Sequence, residues 1–170
     1  MKEWNDKNSG GLPQGMPPEF QTTEEKKGLT RALKLLLVKD RTQWELTDQL
    51  LSEGYAQSDV QKILEYVKSF GYINDRRYVD LYLISHGDRY SIREMQQKLR
   101  SRGISKDFFY EVLESSDYEG EEPALKKILA KRLKGRSVEE LTYEEKQKHM
   151  AYFARKGYSF EKIREIFSFS

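Results

Sequence analysis

The chain has 170 residues, no cysteine, 34% charged residues and a formal net charge of only +2. That length can bury one compact core or several small ones, and a mean hydropathy of −0.84 requires much of each element to face water. Without thiols there is neither a disulfide framework nor a thiolate metal site, and the near-neutral balance excludes a bulk polycation. The longest apolar run, Leu35–Val38, is far short of a bilayer span, so no membrane partner is expected. The N-terminus lacks the apolar stretch of a secretory leader, and a cytoplasmic location is the expectation.

Residues 1–28 are rich in Gly, Pro, Asn and Gln, and GGLPQGMPP cannot hold a regular element. They predict a disordered arm on which Trp4 and Phe20 are the residues able to dock. From Leu29 the pattern is helical, with Leu29, Leu33, Leu36 and Leu37 as the first apolar stripe. Thr42 and Glu45 then form a capping box, in which each side chain bonds the other's backbone N–H. Ser91 with Glu94 and Thr142 with Glu145 repeat it; Ser58 with Gln61 is a weaker version, and Ser105 and Ser159 read as plain N-caps.

Val60, Ile63, Leu64, Val67 and Phe70 recur on one helix face before Gly71, a natural left-handed stop. Tyr72 and Ile73 can then fold back, and Asn74 or Asp75 can open a helix carrying Tyr78, Val79, Tyr82 and Leu83 inward. Pro123 stands at a first-turn position of a later helix. No run alternates cleanly enough for a strand, and the fold class is all-α.

These signals repeat. Leu46, Leu50, Gly54, Tyr55, Val60, Ile63 and Leu64 align without gaps on Met95, Leu99, Gly103, Ile104, Phe109, Val112 and Leu113. A third copy places Phe153, Gly157, Tyr158, Ile163, Ile166 and Phe167 in the corresponding positions. Adding a preceding helix to each copy (29–39, 75–88, 123–134) gives three tandem three-helix, helix-turn-helix-like repeats. The expected divisions are 29–73, 74–117 and 118–170, stacked into an elongated, curved molecule.

At these residues the sequence resembles the RecX family. The likeness covers about residues 29–168 and rests on ALKLLLVKDRTQWELTDQLLSEGY, FGYINDRRYVDLYL, YSIREMQQKLRSRGI and YFARKGYSFEKIREIF. Residues 1–28 match nothing in the family core, and Tyr90 precedes Ser91 where the family often has glycine. The resemblance implies three tandem three-helix repeats. It also implies binding to the RecA recombinase, in the groove of its DNA filament, limiting filament growth and dampening recombinase, ATPase and coprotease activity. The setting would be DNA repair and the SOS response, with a monomer as the expected state.

Nothing in the residues points to catalysis. His86 and His149 lie far apart with no metal-ligand spacing, no phosphate-cradling GxxxxGK[ST] loop occurs, and no cofactor is expected. The candidate sites are cationic. Lys127, Lys131 and Lys134 share one helix face; Arg93 and Arg100 share another, with Arg89 near its start; Lys98 and Arg102 make a second line. Arg76, Arg77, Arg155 and Lys156 stand at corners. A solvated face is the plainer reading of any single one of these, and it is the resemblance that turns the set toward RecA or DNA phosphates. Residues 111–122 hold six acids (Glu111, Glu114, Asp117, Glu119, Glu121, Glu122) and no base, and residues 126–136 then hold six bases and no acid. Tyr55, Tyr72, Tyr78, Tyr82, Phe108 and Phe109 are expected in cores, while Tyr90 and Tyr110 are free to face a partner. A direct DNA-binding helix-turn-helix protein is the competing class, although its third helices are acidic or mixed in charge.

Overall fold

Most helix starts among the described residues carry a Ser or Thr cap, and the repeated corners turn on left-handed glycines. The structure, a computed structural model, describes residues 15–168, and within them there is no strand. Nine α-helices are present among the described residues: α1 (Thr23–Val38), α2 (Gln43–Ser52), α3 (Gln57–Ser69), α4 (Asp75–His86), α5 (Ile92–Arg100), α6 (Lys106–Ser115), α7 (Glu122–Leu133), α8 (Tyr143–Lys156) and α9 (Phe160–Ser168). The capping boxes expected at Thr42, Ser91 and Thr142 all form, and a fourth joins Thr22 to Glu25. Ser105 and Ser159 accept the N–H of Phe108 and Lys162. Ser58 does not cap: α3 begins at Gln57, with Ala56 in the cap position that Ser105 and Ser159 fill in the other copies.

The three aligned corners share one hydrogen-bond pattern. Tyr55 N–H donates to the Leu50 carbonyl at 3.2 Å, Ile104 to Leu99 at 3.1 Å and Tyr158 to Phe153 at 3.2 Å. Each bond spans a glycine with φ between 80 and 91°, a conformation a Cβ would penalise. The residue after the glycine is thereby turned back onto its own helix, and Ile104 and Tyr158 are buried.

Three hydrophobic cores result, one per three-helix module. The first gathers Leu29, Leu46, Leu50, Ile63 and Val67 from α1–α3. The second gathers Val79, Leu83, Met95, Leu99 and Phe109 from α4–α6. The third gathers Leu125, Leu129, Phe153, Tyr158 and Ile163 from α7–α9. The chain divides between Asn74 and Asp75 into two compact units, one holding the first module and the other holding the second and third.

Three expectations need correcting. Order does not wait for Leu29: α1 starts at Thr23, and Phe20 is 1% exposed, edge-on to Tyr66 with ring centroids 5.3 Å apart. Lys62 fastens the same stretch, donating to the Glu19 carbonyl and to Glu25 Oε1. Composition does not register a single aromatic able to fill a core; Trp4 lies outside the described residues. Leu37 does not join the first stripe but is 68% exposed, because α1 buries Leu29, Ala32, Leu33 and Leu35 instead. Phe70 is 61% exposed, since it is the C-cap of α3 and its ring leaves the helix face to lie beside Tyr66 and Tyr72.

Within the second unit the two modules are joined through caps. The Ser91 hydroxyl accepts the Glu94 N–H at 3.1 Å and donates to the Lys156 carbonyl at 2.7 Å, so the α5 cap also satisfies the end of α8. Glu94, the other half of that box, holds the Lys156 ammonium at 3.1 Å. The Glu121 carboxylate accepts the Ile92 N–H at 2.7 Å and a backbone bond from Ser159, although burial pushes its pKa up. Gly157 lies so close that an added Cβ would stand 2.9 Å from Cβ and Cδ of Arg93.

Two predictions follow from these packings. Phe20→Ala should lower the unfolding free energy by about 3–5 kcal/mol, read by urea denaturation of the full chain; a change within about 0.5 kcal/mol would return residue 20 to an unpacked arm. The second concerns acid. The Lys62 ammonium, then the Thr22 N–H, lower Glu25 from 4.5 to about 2, and Arg136, then the Thr142 N–H, do the same for Glu145. Both folded values lie below the unfolded ones, so this stability is present above the ordinary carboxylate pKa and is lost as pH falls toward about 2. Glu121 works in the opposite direction, costing stability once pH rises through its raised value. The urea midpoint should therefore fall on acidification through this window, and Glu25→Gln should flatten the part due to the first module.

Candidate partner-binding surface

The twelve cations picked from the sequence separate into two groups once their surroundings are known. The first group is engaged within the fold. Arg76 reaches from α4 to α6, donating to Glu111 at 2.6 Å and to Ser115 Oγ at 3.0 Å. Arg77 is half-buried on α4. Arg89 pairs with Asp88 at 3.3 Å and donates to the Ser85 carbonyl. Lys98 lies 4.7 Å from the centre of the Tyr90 ring, and Arg102 donates to the Tyr78 hydroxyl with its guanidinium 5.3 Å above Tyr82. Lys127 reaches Asp88 at 2.5 Å and its hydrogen bond holds that carboxyl below the usual range. Lys156 is held by Glu94, whose hydrogen bond raises the ammonium's pKa.

The second group is Arg93, Arg100, Lys131, Lys134 and Arg155, all exposed and none ion-paired to a described residue. Arg93 and Arg100 are seven residues apart on α5, on one helix face. The stem of Arg93 rests on Gly157, which brings the start of α5 to the end of α8, where Arg155 sits. Lys131 is in the last turn of α7 and Lys134 is its C-cap, at φ 51°, the one described non-glycine residue with a positive φ. Both bases lie at a helix C-terminus, where the helix dipole favours positive charge.

Of the aromatics expected in cores, Tyr82 and Phe109 are buried, Tyr78 and Phe108 are half-buried against that same second core, and Tyr55 and Tyr72 are half-buried against the first core. Tyr90 is half-buried under Lys98 rather than open, while Tyr110 is 37% exposed. His86 stacks on Tyr82 with centroids 4.0 Å apart, and burial lowers its pKa; burial lowers that of His149 as well. No group of three or more His, Asp or Glu suited to an ion occurs among the described residues.

One basic surface escaped the sequence reading. A recess of about 520 Å³ on the first module is lined by Lys26, Lys27, Arg31, Lys34 and Tyr55. Lys27 pairs with Glu24 and Arg31 with Glu53, which leaves Lys26 and Lys34 as its exposed bases without an ion pair to a described residue. The helical spacing of Thr23, Lys27, Thr30 and Lys34 was the available signal. A helix begun at Leu29 leaves Thr23 and Lys27 outside that spacing.

Residues 121–167, the third module, match the family model described as RecX, third three-helix domain. The chain is 31% identical over 144 residues to a regulatory protein RecX of Bacillus licheniformis, covering 81% of this chain and 53% of that one. With a regulatory protein RecX of Legionella pneumophila it shares 28% identity, over 83% of this chain and 93% of the relative. It spans 53–64% of the length of the Bacillus licheniformis, Clostridium botulinum and Clostridium tetani relatives. In fold it is similar to the crystal structure of RecX from Lactobacillus salivarius, with a TM-score of 0.73 at 22% identity, covering 85% of this chain and 95% of that one. Tandem three-helix modules, the match at the third module and the likeness along most of the chain agree in supporting the RecX family.

Proposed function

We propose that this chain is a regulator of the RecA recombinase, binding the RecA–DNA filament, limiting its extension and dampening its ATPase, recombinase and coprotease activities. The observation that carries the reading is that, of the twelve candidate cations, Arg93, Arg100, Lys131, Lys134 and Arg155 stay exposed without an ion pair to a described residue, while the other seven are engaged within the fold. Salt bridges already made would have to be broken before Lys127 or Lys156 could serve a partner, whereas these five offer charge at no such cost. Arginine suits bidentate contact with carboxylate or phosphate, and the lysines add point charges. Repeated modules let several weak contacts act together on a polymer, so affinity rises without any single strong site.

The chain acts by binding rather than by chemistry, as a cytoplasmic monomer meeting RecA where the filament forms, and DNA phosphates within the filament are secondary partners. No helix among the described residues is long and apolar enough to cross a membrane. Direct reading of duplex DNA is the weaker alternative. The third helices would be its readers, yet in α3 Lys62 is tied to Glu25 and Lys68 to Gln43, and α6 carries Asp107, Glu111 and Glu114.

Substoichiometric protein should inhibit RecA ATPase on single-stranded DNA. Replacing Arg93, Arg100, Lys131 and Arg155 together by Glu should raise the amount needed for half-inhibition roughly tenfold or more, with far-UV circular dichroism unchanged. Inhibition as strong as that of the unmodified chain would reject this surface, and an inert unmodified chain would reject the function.

A further inference from the structure

The acid run 111–122 takes no part in the cationic surface, and its members have diverged in use. Glu111 is tied to Arg76, Glu122 to Lys126, and Glu121 is turned into the joint between modules. Asp117 and Glu119 are exposed, lie in the segment linking the second module to the third, and have no ion pair with a described residue. Both line a recess of about 260 Å³ whose apolar walls are Ile84, Tyr118 and Pro123. Asp88 is also at its edge, but that charge is already met by Lys127 and Arg89.

Three features make this recess a fitted place for a side chain. Its walls are set: Tyr118 lies on Gly87 so closely that an added Cβ there would stand 2.2 Å from the ring. Its apolar surface continues outward, with Ile84 at 54% and Leu81, three residues earlier on α4, at 45% exposure. Its volume lies below the roughly 300 Å³ at which drug-sized ligand sites begin, so a single apolar side chain suits it better than a small molecule. Exposed apolar surface beside uncompensated carboxylates calls for a partner that brings both an apolar group and positive charge.

We propose that this recess docks a Lys- or Arg-bearing segment of a partner protein, an apolar side chain entering between Ile84, Tyr118 and Pro123 and its flanking cations meeting Asp117 and Glu119. The same carboxylates repel phosphate, so nucleic acid is disfavoured here. The site uses none of the exposed cations assigned to the filament, and the two proposals stand or fall separately.

The test is a titration of the isotope-labelled full chain, followed by amide chemical shifts, with an acetylated and amidated pentapeptide holding a leucine between two arginines. Saturable shifts confined to residues 81–88 and 117–123 are expected. Replacing the arginines by glutamate, or the leucine by alanine, should weaken binding roughly tenfold, and so should Asp117→Lys combined with Glu119→Lys in a chain that keeps its dispersed spectrum. Absence of saturable shifts, shifts scattered over the surface, equal affinity for the alanine peptide, or unchanged affinity in the doubly reversed chain would each overturn the proposal.

Discussion

The Ser91 hydroxyl serves two modules with one oxygen. As acceptor it closes the first turn of α5, and as donor it satisfies the last carbonyl of α8. It is fully buried, so neither partner can be replaced by water without opening the joint. Because the bond comes from a cap, the direction of α5 is fixed by the same atom that fixes the neighbouring module. Glu94 repeats the economy, accepting the Ser91 N–H with one carboxylate oxygen and holding the Lys156 ammonium with the other. A joint of this sort makes the positions of Arg93 and Arg155 a consequence of capping, not of surface chance.

The division of the cations follows from similar bookkeeping. Exposed ion pairs are individually worth roughly 0–1 kcal/mol, so Arg76, Lys127 and Lys156 are not what keeps the second unit folded. Their effect is orientational: each bridges two elements and neutralises an acid that would otherwise repel an anionic partner. On the second and third modules Arg93, Arg100, Lys131, Lys134 and Arg155 remain outward, with the exposed acids Asp117 and Glu119 at the link between those modules, and Lys26 and Lys34 remain outward on the first. A chain with net charge +2 can in this way present surfaces of both signs.

Much of the fold was legible because the signals were local. Thr42, Ser91 and Thr142 each precede their Glu by three residues, and the glycine–apolar corners recur at fixed spacing, so caps and core stripes could be aligned between copies. Reading failed where the deciding contact was distant in sequence. Phe20 is held by Tyr66 and Lys62, and nothing within its own Pro-rich stretch announces that. The cations show the same limit. Lys127 and Lys131 are both exposed bases on one helix face, and only the fold, by bringing Asp88 to the first, sets them apart.

The central claim is that a partner is met by the bases the fold leaves unused. The most direct measurement is the salt dependence of binding to RecA filaments on single-stranded DNA, comparing neutral Gln replacements one position at a time. Loss of Arg93, Arg100 or Lys131 should lower the slope of log affinity against log salt by up to about one unit each, while loss of Lys127 or Lys156 should leave it nearly unchanged. Equal slopes for both groups would contradict the account.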